Sequence, residues 1–316
     1  MHIPDGFLST PVWATLAAAS APSIVCMARR AQGEVEEGRI PLLGVMGAFV
    51  FAAQMINFPV GPGTTGHLMG TALLAFTLGP AASSVVMTAI LAIQALVFQD
   101  GGILALGANA FNMAVAGVVA GYLPFHFWGV GARRKVSIFF GAAVSVLVSA
   151  GLALVELRLS GVPVPAAIAG LSLALFGVNA ILEGGITLAV LQALEVMQPG
   201  WVRKPVASGR RVLGFVGLAA LLLAVVGVLF AAGDPDALEK LAENLGIASK
   251  ARALMQTPLA DYETALPGGQ WVRKATAGLA GLALVFGACV LFGRTLSRGR
   301  LWPRPEEDRG NRRRSR

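Results

Sequence analysis

Long apolar runs alternate with short polar connections along most of this 316-residue chain. The run VLGFVGLAALLLAVVGVLFAA, from Val212 to Ala232, is typical. About 20 apolar residues cross a bilayer as a helix, and a helix satisfies its own backbone hydrogen bonds in lipid. The pattern predicts nine membrane segments, at residues 9–28, 39–56, 68–82, 84–98, 104–126, 136–157, 165–198, 212–232 and 275–293. The third and fourth segments are short, and the seventh is long enough to be tilted or broken.

The composition agrees with this pattern. Apolar residues make up 55% of the chain and charged residues only 13%, whereas a soluble domain carries about 25% charged residues. We therefore expect an all-α fold, a polytopic membrane helical bundle of about seven helices. A C-terminal two-helix hairpin with a small extracytoplasmic cap is expected to follow it.

The positions of the basic residues predict the topology. The net charge is +8, but the lysines and arginines cluster between apolar runs and in the tail RGNRRRSR. The clusters follow the first, fifth and seventh segments, at Arg29, Arg30, Arg39, Arg133, Arg134, Lys135, Arg203, Lys204, Arg210 and Arg211. By the positive-inside rule these connections are cytoplasmic. We expect a bacterial cell-membrane protein with its N-terminus outside, its C-terminus inside and no nucleic-acid partner.

The N-terminus lacks the pattern of a signal peptide. A signal peptide carries its positive charge ahead of the apolar stretch, whereas Arg29 and Arg30 come after it. Removal of the first methionine normally needs a small second residue, and His2 is not small. We therefore expect Met1 to persist in the mature protein.

A polar stretch separates the last two apolar segments. In GDPDALEKLAENLG, Asp234 and Asp236 suit the start of a helix and Gly246 suits its end, while Leu238, Leu241 and Leu245 recur at helical spacing. We expect a membrane domain at residues 1–205 and an accessory hairpin at residues 206–316. The hairpin would carry an extracytoplasmic segment, residues 233–272, and a basic cytoplasmic tail.

The opening sequence MHIPDGFLS can form a metal chelate. The α-amine of Met1 and the amide nitrogen of His2 close a five-membered ring, and the amide and Nδ1 of the His2 imidazole close a six-membered one. A planar set of nitrogen donors suits Ni²⁺ or Cu²⁺, and Co²⁺ less readily. Binding would depend on pH because the amide must lose its proton. Alternatively, His2 is an incidental residue at the membrane interface.

A second histidine, His67, ends the segment FPVGPGTTGH on the same predicted outer side. Glycine and proline allow irregular backbone to enter a membrane protein where it lines a cavity. His67 could share a site with His2, or it could form a hydrogen bond at the start of a helix. Met69 is interpreted as a packing residue. The third histidine, His126, has aromatic neighbours typical of a membrane interface, and we place it outside the site.

Polar side chains are costly within a membrane bundle, so several of them are candidates for orienting the histidines and their loops. The candidates are Asp5, Gln54, Asn57, Gln94, Gln99, Asp100, Asn109 and Asn112. Glu183 is a lone carboxylate in the apolar run NAILEGGIT. A structural role and a functional role are both open for it.

Small residues repeat at four-residue spacing on the first segment, in the pairs Ala14/Ala18 and Ala17/Ala21. Such a face permits close helix contact in lipid, either with a partner membrane protein or within this chain. The sequence contains no phosphate loop, HExxH or GxSxG motif. We therefore expect no enzyme activity and no cofactor, and any energy for transport must come from another subunit.

MHIPDGFLS, FPVGPGTTGHLMG, QALVFQDGGILALGANAFNM and NAILEGGIT occur in this order. Together they resemble the CbiM/NikM family, the substrate-binding components of energy-coupling factor transporters for cobalt or nickel. The resemblance covers roughly residues 1–198, and the rest is similar to the CbiN/NikN accessory component, whose PDGLE-like motif carries Ala237 here in place of glycine.

The resemblance implies a site and partners. Its metal ligands would be the Met1 amine, the His2 amide and imidazole, and the His67 imidazole, and the transported ion would be Ni²⁺ or Co²⁺. The partners would be a transmembrane coupling subunit and two ATP-binding subunits, contacted partly through the small-residue face. A planar nitrogen set leans towards nickel. The alternative function is a self-contained secondary metal carrier or channel.

Overall fold

The computed structural model describes residues 2–198 and 210–298. Its helices are α1 (Thr10–Glu34), α2 (Ile40–Gln54), α3 (Thr71–Leu78), α4 (Pro80–Ile93), α5 (Leu106–Asn109), α6 (Val118–Trp128), α7 (Arg134–Leu159), α8 (Ala166–Met197), α9 (Arg210–Val225), α10 (Ala237–Asn244) and α11 (Gln270–Ser297). Wider π-helical turns extend α4 through Gln94–Phe98 and join α5 to α6 through Ala110–Gly117. The expectations for Met1, Arg203, Lys204, the boundary at 205/206 and the tail lie outside the described residues.

The all-α membrane fold is confirmed, with a correction to the number of spans. Within the described residues, seven helical stretches are long and apolar enough to cross a membrane. The second predicted segment is α2, which has only 15 residues, and the third is α3, which has only 8. Gly79, at φ 83°, separates α3 from α4. Nearly all residues of α2 and all of α3 are buried, so protein rather than lipid surrounds both.

The C-terminal hairpin explains why α2 is buried. Gly44 and Gly47 of α2 let α11 approach closely, because a Cβ atom at either position would come within 2.8 Å of the Phe286 or Cys289 side chain. The helix α9 also packs against α2. The two parts of the chain therefore share one core.

The glycine-rich segment before His67 is an antiparallel hairpin rather than irregular backbone. Its strands are β1 (Asn57–Gly61) and β2 (Thr64–His67), and Asn57 pairs with His67. The turn contains Gly63 at φ 59°, a conformation that glycine adopts without a steric penalty. The sequence pattern of glycine and proline therefore marks a tight turn that brings His67 to the end of a strand.

The cap helix α10 begins as its sequence predicts. The Asp236 carboxylate accepts hydrogen bonds from the N–H groups of Leu238 and Glu239, at 2.7 and 2.8 Å, and the Glu239 side chain accepts one from the Asp236 N–H. This reciprocal pair is a capping box. The preceding residues join the β hairpin, since the Thr65 N–H donates to the Pro235 carbonyl at 2.9 Å. The cap is thus attached to the strand that carries His67.

Candidate metal centre

The beginning of the chain is fixed against the loop that precedes α5. The Ile3 N–H donates to the Asn109 side-chain oxygen at 2.8 Å, and the Asn109 amide group donates back to the Ile3 carbonyl at 3.0 Å. The Gly102 N–H also donates to the Ile3 carbonyl, at 2.9 Å. His2 and Ile3 are both buried. Asn109 therefore holds the main chain next to His2.

Asp5 is a backbone anchor for the same loop. Its carboxylate accepts hydrogen bonds at 2.8–3.0 Å from three successive N–H groups, those of Ile103, Leu104 and Ala105. Its own carbonyl accepts one from the Arg252 N–H of the C-terminal part, at 2.9 Å. Asp5 thus holds this loop in place, and its carboxylate binds backbone N–H groups rather than the imidazoles.

The structure brings His2 and His67 together. Their rings stack with centroids 5.5 Å apart and planes inclined by 20°. Nδ1 of His67 lies 3.1 Å from the Leu68 carbonyl oxygen, which can only accept, so this nitrogen carries the proton. The lone pair is then on Nε2, which lies 3.9 Å from a carboxylate oxygen of Asp236. Burial and the neighbouring His2 lower the pKa of His67 to about 3, so the ring is neutral and suited to bind a metal ion.

Asp100 is paired with His2. Its Oδ1 atom lies 2.9 Å from Nδ1 of His2, while among the described residues the buried Nε2 of His2 has no hydrogen-bond partner. Burial opposes ionisation of Asp100, but the His2 ring and hydrogen bonds from His2 and Tyr262 bring its pKa well below its usual range. Chelation through Nδ1 of His2 would therefore replace an existing bond to a carboxylate.

A hydrogen-bonded chain connects the two histidine segments. The Tyr262 hydroxyl donates to Asp100 at 2.6 Å and accepts from the Gln94 side chain at 3.2 Å. Gln94 also donates to the Gln54 side-chain oxygen at 2.8 Å, and Gln54 donates to the Met69 carbonyl at 2.7 Å. Tyr262 belongs to the C-terminal part and is not among the site residues predicted from the sequence. The one sequence signal is its polar setting, ADYE, between two apolar segments.

We expect Tyr262→Phe to lower the stability of the protein. Burial and Asp100 raise the pKa of Tyr262 well above its usual value, so the hydroxyl keeps its proton. It therefore donates a hydrogen bond to the ionised carboxylate of Asp100. Hydrogen bonds to charged groups contribute about 1.5–3 kcal/mol. The phenylalanine keeps the stacking on Phe98, whose ring centroid is 4.7 Å away, so only the hydroxyl contribution is lost.

The melting temperature of the purified protein in detergent measures this loss. Tyr122→Phe is the matched control, because Tyr122 is the other tyrosine of the chain and lies on α6, away from the cavity. A fall in melting temperature for Tyr262→Phe alone is the expected result. Equal melting temperatures for both variants would show that the Tyr262–Asp100 bond contributes nothing measurable.

A cavity of about 690 Å³ opens in front of the two histidines. Asn57, Gln99 and Asp100 of the N-terminal part line it, and the Gln99 side chain also bonds the Met255 carbonyl. The C-terminal part contributes four acidic residues and one cation to the lining: Asp236, Glu239, Glu243, Asp261 and Lys274. The excess of carboxylates makes this cavity favourable for a cation.

The remaining candidates do not line the cavity. Asn112 donates to Glu156 of α7 at 2.9 Å and does not line the cavity. Glu183 binds the backbone that follows His67.

On α1, Ala17 packs against Gly107 of this chain, Ala14 is half-buried, and Ala18 and Ala21 are exposed. The small-residue face is therefore shared between an internal contact and an open surface.

Side chains alone do not form a complete metal site in the part of the chain that the structure describes. No three His, Cys, Asp or Glu side chains are grouped there so that they could hold an ion. Two imidazoles would need further donors, and the main chain beside His2 carries nitrogen atoms that can serve once deprotonated.

Two regions match known families. Residues 2–201 match the family described as CbiM, cobalt uptake substrate-specific transmembrane region, and residues 210–298 match the PDGLE domain.

Individual relatives agree with these matches. A relative from Haloquadratum walsbyi, named for metal transport, is 48% identical over 128 residues, 40% of this chain and 59% of that relative. A relative from Archaeoglobus fulgidus, named as the fused nickel transport protein NikMN, is 32% identical over 300 residues, 90% of this chain and 95% of that relative. The crystal structure of a truncated transition metal transporter is 35% identical and superposes with a TM-score of 0.55, over 61% of this chain and 98% of that one.

Proposed function

The chain belongs to the CbiM family of cobalt-uptake membrane proteins, with a PDGLE domain fused behind it, and on that premise we propose that it binds the transported ion for an energy-coupling factor transporter. It is a multi-pass membrane protein of the cobalt and nickel transport type. The cargo of the proposed transporter is Ni²⁺ or Co²⁺. One observation carries the proposal: two buried imidazoles face each other beside an acid-lined cavity.

The proposed ligands are the Met1 amine, the His2 amide nitrogen and Nδ1, and Nε2 of His67. The bonds between Ile3 and Asn109 support this set, because they fix the main chain directly after the chelate. The tautomer of His67, with its proton on Nδ1, also supports it. Asp100 leaves Nδ1 of His2 when the ion binds, and its negative charge stays beside the site.

Nickel is the slightly favoured cargo. Four nitrogen donors in a plane suit Ni²⁺ better than Co²⁺. The name of the Archaeoglobus relative points to nickel, whereas the description of the matched family points to cobalt. A competition experiment with equal Ni²⁺, Co²⁺ and Zn²⁺ would identify the preferred ion.

The organisation of the chain follows from the same proposal. Residues 1–205 form the metal-binding membrane domain, and residues 206–316 form the accessory hairpin. The N-terminus and the cap face the outside of the cell membrane, which the basic cytoplasmic connections support. The exposed part of the α1 face, with Ala18 and Ala21, is the proposed contact for the transmembrane coupling subunit.

Reconstitution tests this function against the alternative of a self-contained carrier. We expect vesicles with this chain alone to take up no ⁶³Ni²⁺, because the energy is proposed to come from two ATP-binding subunits. Vesicles that also contain the coupling and ATP-binding subunits should accumulate nickel when ATP is supplied. Empty vesicles and a complex without ATP are the controls. Uptake by this chain alone would contradict the proposal and support the alternative, a self-contained carrier.

A further inference from the structure

Glu183 binds the backbone immediately after His67. This residue of α8 has no exposed surface. Its Oε2 atom accepts a hydrogen bond from the Met69 N–H at 2.7 Å, and its Oε1 atom accepts one from the Gly70 N–H at 2.8 Å. Gly70 is in the left-handed conformation, at φ 71°. Successive N–H groups beside a left-handed residue form a concavity that binds an anion, and here the anion is the carboxylate of Glu183.

One peptide group connects this carboxylate with the imidazole. The peptide between Leu68 and Met69 presents its N–H to Glu183 and its carbonyl oxygen to Nδ1 of His67. A rotation of this peptide would break both bonds, because its N–H and its carbonyl lie in one rigid plane. The next peptide is held in the same way, by Glu183 at its N–H and by Gln54 at its carbonyl.

Further contacts tie α8 to the strand of His67. Asn179 lies one turn before Glu183 and is also buried. A Cβ atom at Gly66 would come within 2.3 Å of the Asn179 side-chain oxygen, so β2 rests directly on this helix. The backbone on both sides of His67 is thus held by one face of α8. Ionisable residues at membrane depth are costly and usually functional.

We propose that Glu183 is a positioning residue for His67. Through the Leu68–Met69 peptide it fixes the orientation of the imidazole, so that the proton stays on Nδ1 and the lone pair of Nε2 points towards the cavity. This inference rests on the proposed function, since it requires His67 to be a ligand. It gives Glu183 a role in metal affinity without any contact between its carboxylate and the ion.

Glu183→Gln is the test of this role. Glutamine has the same length, but its amide NH₂ group would face one of the two N–H groups, so one of the two bonds is lost. Residues that orient metal ligands typically contribute a factor of 10–100 to affinity. We expect Ni²⁺ binding to the full-length protein, followed by titration calorimetry, to weaken by about that factor. The visible absorption band of bound Ni²⁺ should also shift, because the geometry at His67 changes.

Glu156→Gln is the matched control. Glu156 is a buried carboxylate on α7 that accepts a hydrogen bond from Asn112 and touches neither histidine loop. We expect its variant to keep the affinity and the absorption band of the wild-type protein. Equal weakening in both variants with an unchanged band would overturn the inference, because the effect would then be general loss of stability.

The remaining outcomes separate this inference from the function. If His67→Ala loses the metal while Glu183→Gln equals the wild type in affinity and band, only the positioning role fails. If the wild-type protein binds neither Ni²⁺ nor Co²⁺, the proposed function fails first. Should Glu183→Gln not fold, Glu183→Asp serves instead. Its shorter carboxylate cannot reach both N–H groups, so an unshifted band there would refute the proposal.

Discussion

Insertion of two alanines between Met1 and His2 is expected to abolish retention of Ni²⁺ or Co²⁺ by the purified protein. His2 keeps its place because its neighbour Ile3 is bound to Asn109 through both its N–H and its carbonyl. The α-amine, however, moves away by up to about 7 Å of chain. The five-membered ring between the amine and the His2 amide can then no longer close, and the planar set of nitrogen donors is lost.

The number of inserted residues decides what this experiment shows. A single inserted alanine would make histidine the third residue. The amine, two amides and the imidazole could then close two five-membered rings and one six-membered ring by themselves, which is a complete planar set for Ni²⁺. Such a variant could retain nickel without His67. With two insertions this ring sequence is interrupted, and retention reports on the proposed site.

The control is the same insertion in a connection that is far from the site. Two alanines between Val130 and Gly131 lengthen the exposed link between α6 and α7. Metal content after gel filtration, measured by mass spectrometry, should be normal in this control and at background in the N-terminal variant. Equal metal content in the two variants would show that the Met1 amine is not a ligand.

Sequence reasoning could reach the two histidines because their signals are local. His2 stands next to the first residue, and His67 follows a turn of glycine and proline. Neither histidine requires knowledge of how the helices pack in order to be identified as a candidate. The all-α fold was predictable for the same reason, since a bilayer requires long apolar runs. The two helices that are too short to span, α2 and α3, could not be distinguished, because apolar composition alone does not separate lipid from a protein interior.

The supporting residues depend on packing and were harder to predict. Tyr262 reaches Asp100 across 162 positions only because the C-terminal hairpin lies against α2 and brings the cap over the site. Asn109 and Asn112 would share one face of a regular α-helix. The π-helical turn that begins at Ala110 changes this spacing, and Asn112 contacts Glu156 instead. Glu183 binds main-chain groups, which no pattern of side chains reveals.

His67→Ala is expected to weaken metal binding by about two to three orders of magnitude. Structural Zn²⁺ sites with four ligands in zinc-finger peptides supply roughly 10–16 kcal/mol, which sets the scale for a four-ligand site. A quarter of this, about 2.5–4 kcal/mol, corresponds to roughly a 100- to 1,000-fold change in dissociation constant. The fold should tolerate the change, since the loop after position 67 is held by Glu183 and Gln54 rather than by the imidazole.

His126→Ala provides a control with the identical chemical change. His126 is exposed on α6 beside Phe127 and does not line the cavity, whereas His67 is buried next to His2. Titration calorimetry with Ni²⁺ should therefore show wild-type affinity for His126→Ala and the large loss for His67→Ala, at similar melting temperatures. An unchanged affinity in His67→Ala would show that the ion binds without this imidazole, and the stacked histidine pair would then be a structural contact of the hairpin rather than half of a metal site.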